Sequence, residues 1–101
     1  MLDFGFATYS EVCAEIGRRL KRQRLAQGLP QEQLAARAGV SRGTVRNLET
    51  KGQASLESLI RIVMALGLVD ELARLFELKV TSIQQMELAQ LAERKRASSK
   101  K

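Results

Sequence analysis

The residues best equipped to contact another molecule fall within one short stretch: Ser41, Arg42, Gly43, Thr44, Arg46, Asn47 and Lys51, with Gln31 just upstream. Their chemistry is hydrogen bonding. A guanidinium donates in a planar fork, an amide both donates and accepts, and a hydroxyl does either. Covalent chemistry lacks its usual partners, because the chain has no histidine and one cysteine. Zinc sites of the Cys/His type need three or four such ligands, and Ser-His or Cys-His nucleophiles need the imidazole. No glycine-rich phosphate loop is present either. Neither an enzyme nor a cofactor is expected. Cys13 is expected to be a small buried residue on a helix, since free cysteine packs as a small hydrophobe.

Charge points to the kind of partner. Lys and Arg number 17 against 11 Asp and Glu, a net charge of +6 in 101 residues. Such an excess suits a polyanion. Residues 11–28 carry five basic and two acidic groups, and residues 29–52 four and two. Residues 53–79 reverse to three and four, and residues 80–101 return to five and two. By charge, the first half and the end suit phosphate, and the middle does not. The length fits one small domain, expected over residues 8–79, with an extension over 80–101. MLDFGFATY lacks the basic and apolar regions of a secretory signal, and the apolar run Ile62 to Val69 is far short of the ~20 residues of a membrane span. A cytoplasmic protein with no membrane partner is expected.

These residues must be held by helices. Gly28, Gly39, Gly52 and Gly67 punctuate the chain as glycines just past helix ends do. Thr8 with Glu11 fits a capping box opening a helix to about Gln27. That helix has an apolar stripe of Val12, Ile16 and Leu20 opposite Arg18, Arg19, Lys21 and Arg22. A second helix follows Pro30, from Gln31 to Ala38. A third starts after Ser41, with only Val45 and Leu48 turned inward, so most of its surface faces outward. A fourth spans Leu56 to Leu66, with Leu56, Leu59, Ile60 and Val63 as its core face. A fifth covers about Val69 to Leu78, with Val69, Leu72, Ala73 and Phe76 on one side. Thr81 or Ser82 caps a last helix from Ile83 to about Arg96, and RKRASSKK reads as a disordered basic tail.

The second and third helices, joined by a turn containing Gly39, form a helix-turn-helix layout. In QEQLAARAGVSRGTVRNLE, residues 31–49, Ala35 is small where the helices cross and Gly39 permits the turn. Val40 and Val45 plug the angle between them, and Leu34 and Leu48 anchor each helix. Residues 16–67 resemble the lambda-repressor-like, XRE-type helix-turn-helix family. The resemblance rests on IGRRLKRQRLAQGLPQEQLAARAGVSRGTVRNLE and on SLESLIRIVMALG. It implies an all-α fold, a compact five-helix bundle with a helical or disordered C-terminal extension, that binds double-stranded DNA as a transcription regulator. The major groove admits an α-helix and presents distinct donor and acceptor patterns there. Arg42, Gly43, Thr44 and Asn47 match the family's base-facing positions, with Arg46 at their edge. Gln31 matches a backbone-contacting position, Ser41 is a cap and a phosphate contact, and Lys51 lies where relatives hold phosphate. Arg24 and Glu49 match an ion pair that fixes the third helix against the first. Pro30 departs from the Thr or Ser common before Gln31, so a side-chain cap is lost there.

One reading helix covers few base pairs, so a homodimer on a palindromic operator is expected. Its interface is expected to use Ile62, Met64, Leu66, Leu68, Leu75 and Leu78. The C-terminal stretch reads as a partner-binding amphipathic helix, a phosphate-binding arm or a solubilising tail. The layout is also similar to HipB-like antitoxins, which bind a toxin protein as well as an operator. A protein-interaction module with secondary DNA binding is the other alternative.

Overall fold

The computed structural model describes residues 2–79 and 82–99, the last four as backbone alone. Six helices follow one another: α1 (Tyr9–Ala26), α2 (Gln31–Ala38), α3 (Arg42–Lys51), α4 (Leu56–Ala65), α5 (Val69–Arg74) and α6 (Ile83–Ser99). No strand occurs among the described residues. No helix among them is long and apolar enough to cross a membrane.

Local chemistry sets the ends. The Thr8 hydroxyl accepts from the Glu11 amide while the Glu11 carboxylate accepts from the Thr8 amide, closing the expected capping box. The Ser41 and Ser55 side chains accept from the amides of Thr44 and Ser58. Pro30 caps α2 with no side-chain hydrogen bond. The Ser82 hydroxyl accepts from the Gln85 amide, whereas Thr81, the alternative cap, lies outside the described residues.

α1 packs on α3, and α2 packs on both α3 and α4. The core between them holds Leu20, Leu29, Leu34, Ala35, Ala38, Val45, Leu48, Ile62, Val63 and Leu66. The Gln27 amide donates to the Leu66 carbonyl at 2.8 Å, tying the end of α1 to the end of α4.

Several packing expectations are corrected. The buried line of α1 is Gly17, Leu20 and Arg24, while Ile16 is exposed and Val12 only half-buried. The helix is turned so that its smallest residue meets α3. Cys13 is exposed, not buried. α4 is rotated too: its inward stripe is Leu59, Ile62, Val63 and Leu66, and Leu56 is 73% exposed. α2 lies across the Ile62 side, leaving Ile62 1% and Leu66 3% exposed. Those two belong to the core and not to an interface. α5 stops at Arg74, and Phe76 adopts a left-handed φ of 55° with its ring exposed instead of joining the core. Residues 94–99 of the expected disordered tail continue α6, as helix-favouring Arg, Lys and Ala permit. Lys100 and Lys101 of that tail lie outside the described residues. Ile83, Met86, Leu88 and Leu91 are all exposed and spread around α6, so no single apolar stripe forms.

Candidate nucleic-acid interface

α3 has too few apolar residues to hold itself in place. Val45, Leu48 and Glu49 are its only buried residues. Three contacts fix the helix from behind. The first is Gly17, where a Cβ would run into the Leu48 carbonyl oxygen, so α1 and α3 approach backbone to backbone. The second is Gly52, the left-handed C-cap (φ 65°), where a Cβ would meet the Cys13 carbonyl. The third is polar.

Arg24 and Glu49 are 6% and 4% exposed. The Arg24 Nε donates to Glu49 Oε2 at 2.6 Å and its Nη2 to Oε1 at 3.0 Å, a bidentate pair. Its Nη1 donates to the Leu29 carbonyl at 2.7 Å, so the fork is also held to the turn before α2. Removing one partner of a buried pair typically costs ~3–5 kcal/mol because the other charge is stranded. The ion pair expected from the resemblance is therefore present, and it joins α1, α3 and the α1–α2 turn. Gln31 extends it: its Nε2 donates to Glu49 Oε1 at 3.0 Å.

With its inner side so occupied, α3 turns Arg42, Gly43, Arg46, Asn47 and Lys51 outward, all exposed. Gln31, Arg42, Gly43 and Arg46 come together with Thr50 around a recess of about 410 Å³ between the start of α2 and α3. Neither guanidinium there has a partner among the described residues, so the recess offers two uncommitted cations beside an oriented amide. Ser41 and Thr44 pair with each other instead, their hydroxyls 2.8 Å apart, with Thr44 half-buried. Asn47 and Lys51 do not line the recess. Thr50 was not among the sequence candidates. Its hydroxyl donates to the Arg46 carbonyl at 2.7 Å. Its place four residues after Arg46 on the same face was the available signal.

Two short helices at a glycine turn, the second with an uncovered polar face, define a helix-turn-helix protein. A family model described as helix-turn-helix matches residues 20–71, about half the chain. The chain belongs to that family, the XRE-type, lambda-repressor-like DNA-binding transcription regulators. No curated protein matches it.

Proposed function

We propose that this chain is a sequence-specific repressor that binds a palindromic operator as a homodimer. Residues 8–79 form the DNA-binding domain and 80–101 an extension. The carrying observation is the outer face of α3, where Arg42, Gly43, Arg46 and Asn47 are exposed while Val45, Leu48 and Glu49 are buried. In the major groove Arg42 donates two hydrogen bonds to guanine, Asn47 pairs with adenine, and Thr44 meets a thymine methyl or a phosphate. Gly43 lets the backbone close in, and Arg46 works at the edge of that face. Gln31, Ser41 and Lys51 engage phosphates, with Gln31 at the start of α2, where free amides favour anions. Exposed Leu56, Met64, Leu75 and Leu78 support a dimer surface on α4 and the segment around α5.

Selection of bound sites from random DNA, with sedimentation of the complex, tests this. The expected result is a dimer on a palindrome whose half-sites lie ~34–36 Å apart. Arg42→Ala is expected to cost ~1–3 kcal/mol and to relax one position per half-site. Lys51→Ala is expected to weaken all sequences alike and flatten the salt dependence. Unchanged operator preference in Arg42→Ala, or a monomer on DNA, overturns the proposal.

A second reading, an antitoxin that also binds a toxin protein, draws on α6. Ile83, Met86, Leu88 and Leu91 stay exposed there but lie around the helix and not along one stripe, so a partner would have to wrap α6 to cover them. Co-purification with the product of an adjacent gene, lost on deleting residues 83–99, is the result that favours it.

A further inference from the structure

The outward face of α1 carries a second charged surface that the reading of α3 does not use. At 100° per residue, Glu15, Arg18, Arg19 and Arg22 lie opposite the buried line of Gly17, Leu20 and Arg24. Because α1 packs on α3 through that line, these arginines point away from α3. A duplex held by α3 leaves them uncovered.

The arginines are arranged, not scattered. Glu15 binds two of them with one carboxylate: Arg18 Nη2 to Oε1 at 2.9 Å and Arg19 Nε to Oε2 at 2.9 Å. Both guanidiniums remain 59% and 48% exposed. The Phe4 ring lies 5.1 Å from the Arg19 guanidinium carbon, a cation–π contact that brings the N-terminal segment alongside α1. Arg22 has no partner among the described residues. Leu2, Glu15, Arg18, Arg19 and Arg22 line a groove of about 610 Å³.

We infer that this groove docks an acidic peptide segment of another protein, one with paired carboxylates next to an apolar side chain. Three arginines against one glutamate leave an excess of two positive charges, and bidentate guanidinium–carboxylate pairing suits their planar forks. Leu2 supplies an apolar wall that a sugar-phosphate backbone has no group to meet, and Phe4 borders the groove through its contact with Arg19. The basic island is also short. Along the same face it is bounded by Glu11 on one side and by Leu25 and Ala26 on the other. A phosphate track needs cations repeated along its length, whereas two or three carboxylates of a peptide need only this island.

The test uses the full chain and fluorescence anisotropy with three probes. These are a short labelled peptide of alternating glutamate and leucine, the same peptide with glutamine for glutamate, and a labelled random-sequence duplex. The acidic peptide is expected to bind and the glutamine peptide to bind about tenfold more weakly or not at all. The double variant Arg18→Gln, Arg22→Gln is expected to lose about tenfold for the acidic peptide while its affinity for the selected operator stays unchanged. Phe4→Ala is expected to lose a few-fold. Circular dichroism checks that α1 is intact in each variant. Equal binding of the two peptides, or unchanged peptide affinity in the double variant, overturns the inference. So does a loss that falls on the random duplex and not on the peptide, which makes this a phosphate surface. Operator binding is read separately, so failure here leaves the reading of α3 standing, and the reverse.

Discussion

Replacing Gly43 with alanine separates the needs of the fold from the needs of a DNA contact. Gly43 is the second residue of α3, and its φ is not positive. A Cβ built there meets nothing closer than the Ser41 Oγ at 3.8 Å, an ordinary van der Waals distance. Neither backbone nor packing requires glycine at this position. Inside a helix, glycine is less stable than alanine by roughly 0.5–1 kcal/mol. Gly43→Ala is therefore expected to raise the melting temperature by about 2–8 °C, given ~4–8 °C per kcal/mol for a domain of this size. The opposite sign is expected on DNA. If the backbone approaches the groove closely here, an added methyl costs ~1–3 kcal/mol, as overpacking does in a tight site. That corresponds to roughly fivefold to 150-fold weaker operator binding. Thermal melts followed by circular dichroism and anisotropy titrations with the selected operator read the two effects. A higher melting temperature with unchanged affinity removes Gly43 from the interface and moves the register of α3. A lower melting temperature refutes the packing reasoning itself.

Gly17→Ala makes the contrasting case: helix propensity alone favours the substitution, but the added Cβ runs into the Leu48 carbonyl, so a loss of ~1–3 kcal/mol or more is expected in a denaturant titration. A gain in stability there shows that α1 and α3 do not meet backbone to backbone. Acid is expected to loosen α1 first. The side-chain hydrogen bonds of Arg19 and then Arg18 hold the Glu15 carboxyl below its usual pKa, and the Thr8 amide and then its hydroxyl do the same for Glu11. A depressed carboxyl stabilises the fold above its unfolded pKa, near 4.5, and loses that contribution as pH falls through the lower folded value. The protection factor for amide exchange at the start of α1, the measured rate corrected for the pH-dependent intrinsic rate, should therefore stay flat from neutral pH to about that pKa and fall below it, and this fall should be absent in Glu11→Gln, Glu15→Gln.

The helices were legible wherever the backbone chemistry was local. Thr8, Ser41 and Ser55 satisfy amides three residues on, and Gly28, Gly39 and Gly52 take a left-handed φ that other residues rarely adopt. Those signals lie within a single turn of chain. Rotation about a helix axis was less legible. Leu56 and Ile62 are equally apolar, and the approach of α2, a distant part of the chain, decides that Ile62 is buried and Leu56 is not. The same holds for α1, where a glycine takes the place next to α3 that hydropathy gives to Ile16. The inner side of α3 was readable because Val45 and Leu48 are its only apolar residues. The recess was only partly readable. Gln31 joins it through Glu49, eighteen residues away, and no spacing rule links those two positions.

That long-range link bears on how such a surface can vary. α3 is positioned almost wholly from behind and from its ends: by Gly17 against Leu48, Gly52 against Cys13, the caps at Ser41 and Gly52, and the Arg24–Glu49 pair. A short helix with two buried apolar side chains has little stability of its own and takes its place from its neighbours. None of those supports uses the side chains of Arg42, Arg46 or Asn47. The outward positions can therefore be exchanged for others of similar helix propensity at little cost to the fold, since surface substitutions away from caps and buried pairs usually stay within ±0.5 kcal/mol. Gln31 is the exception. It faces the recess and also donates to a buried carboxylate, so a change there alters what the surface presents and how Glu49 is satisfied.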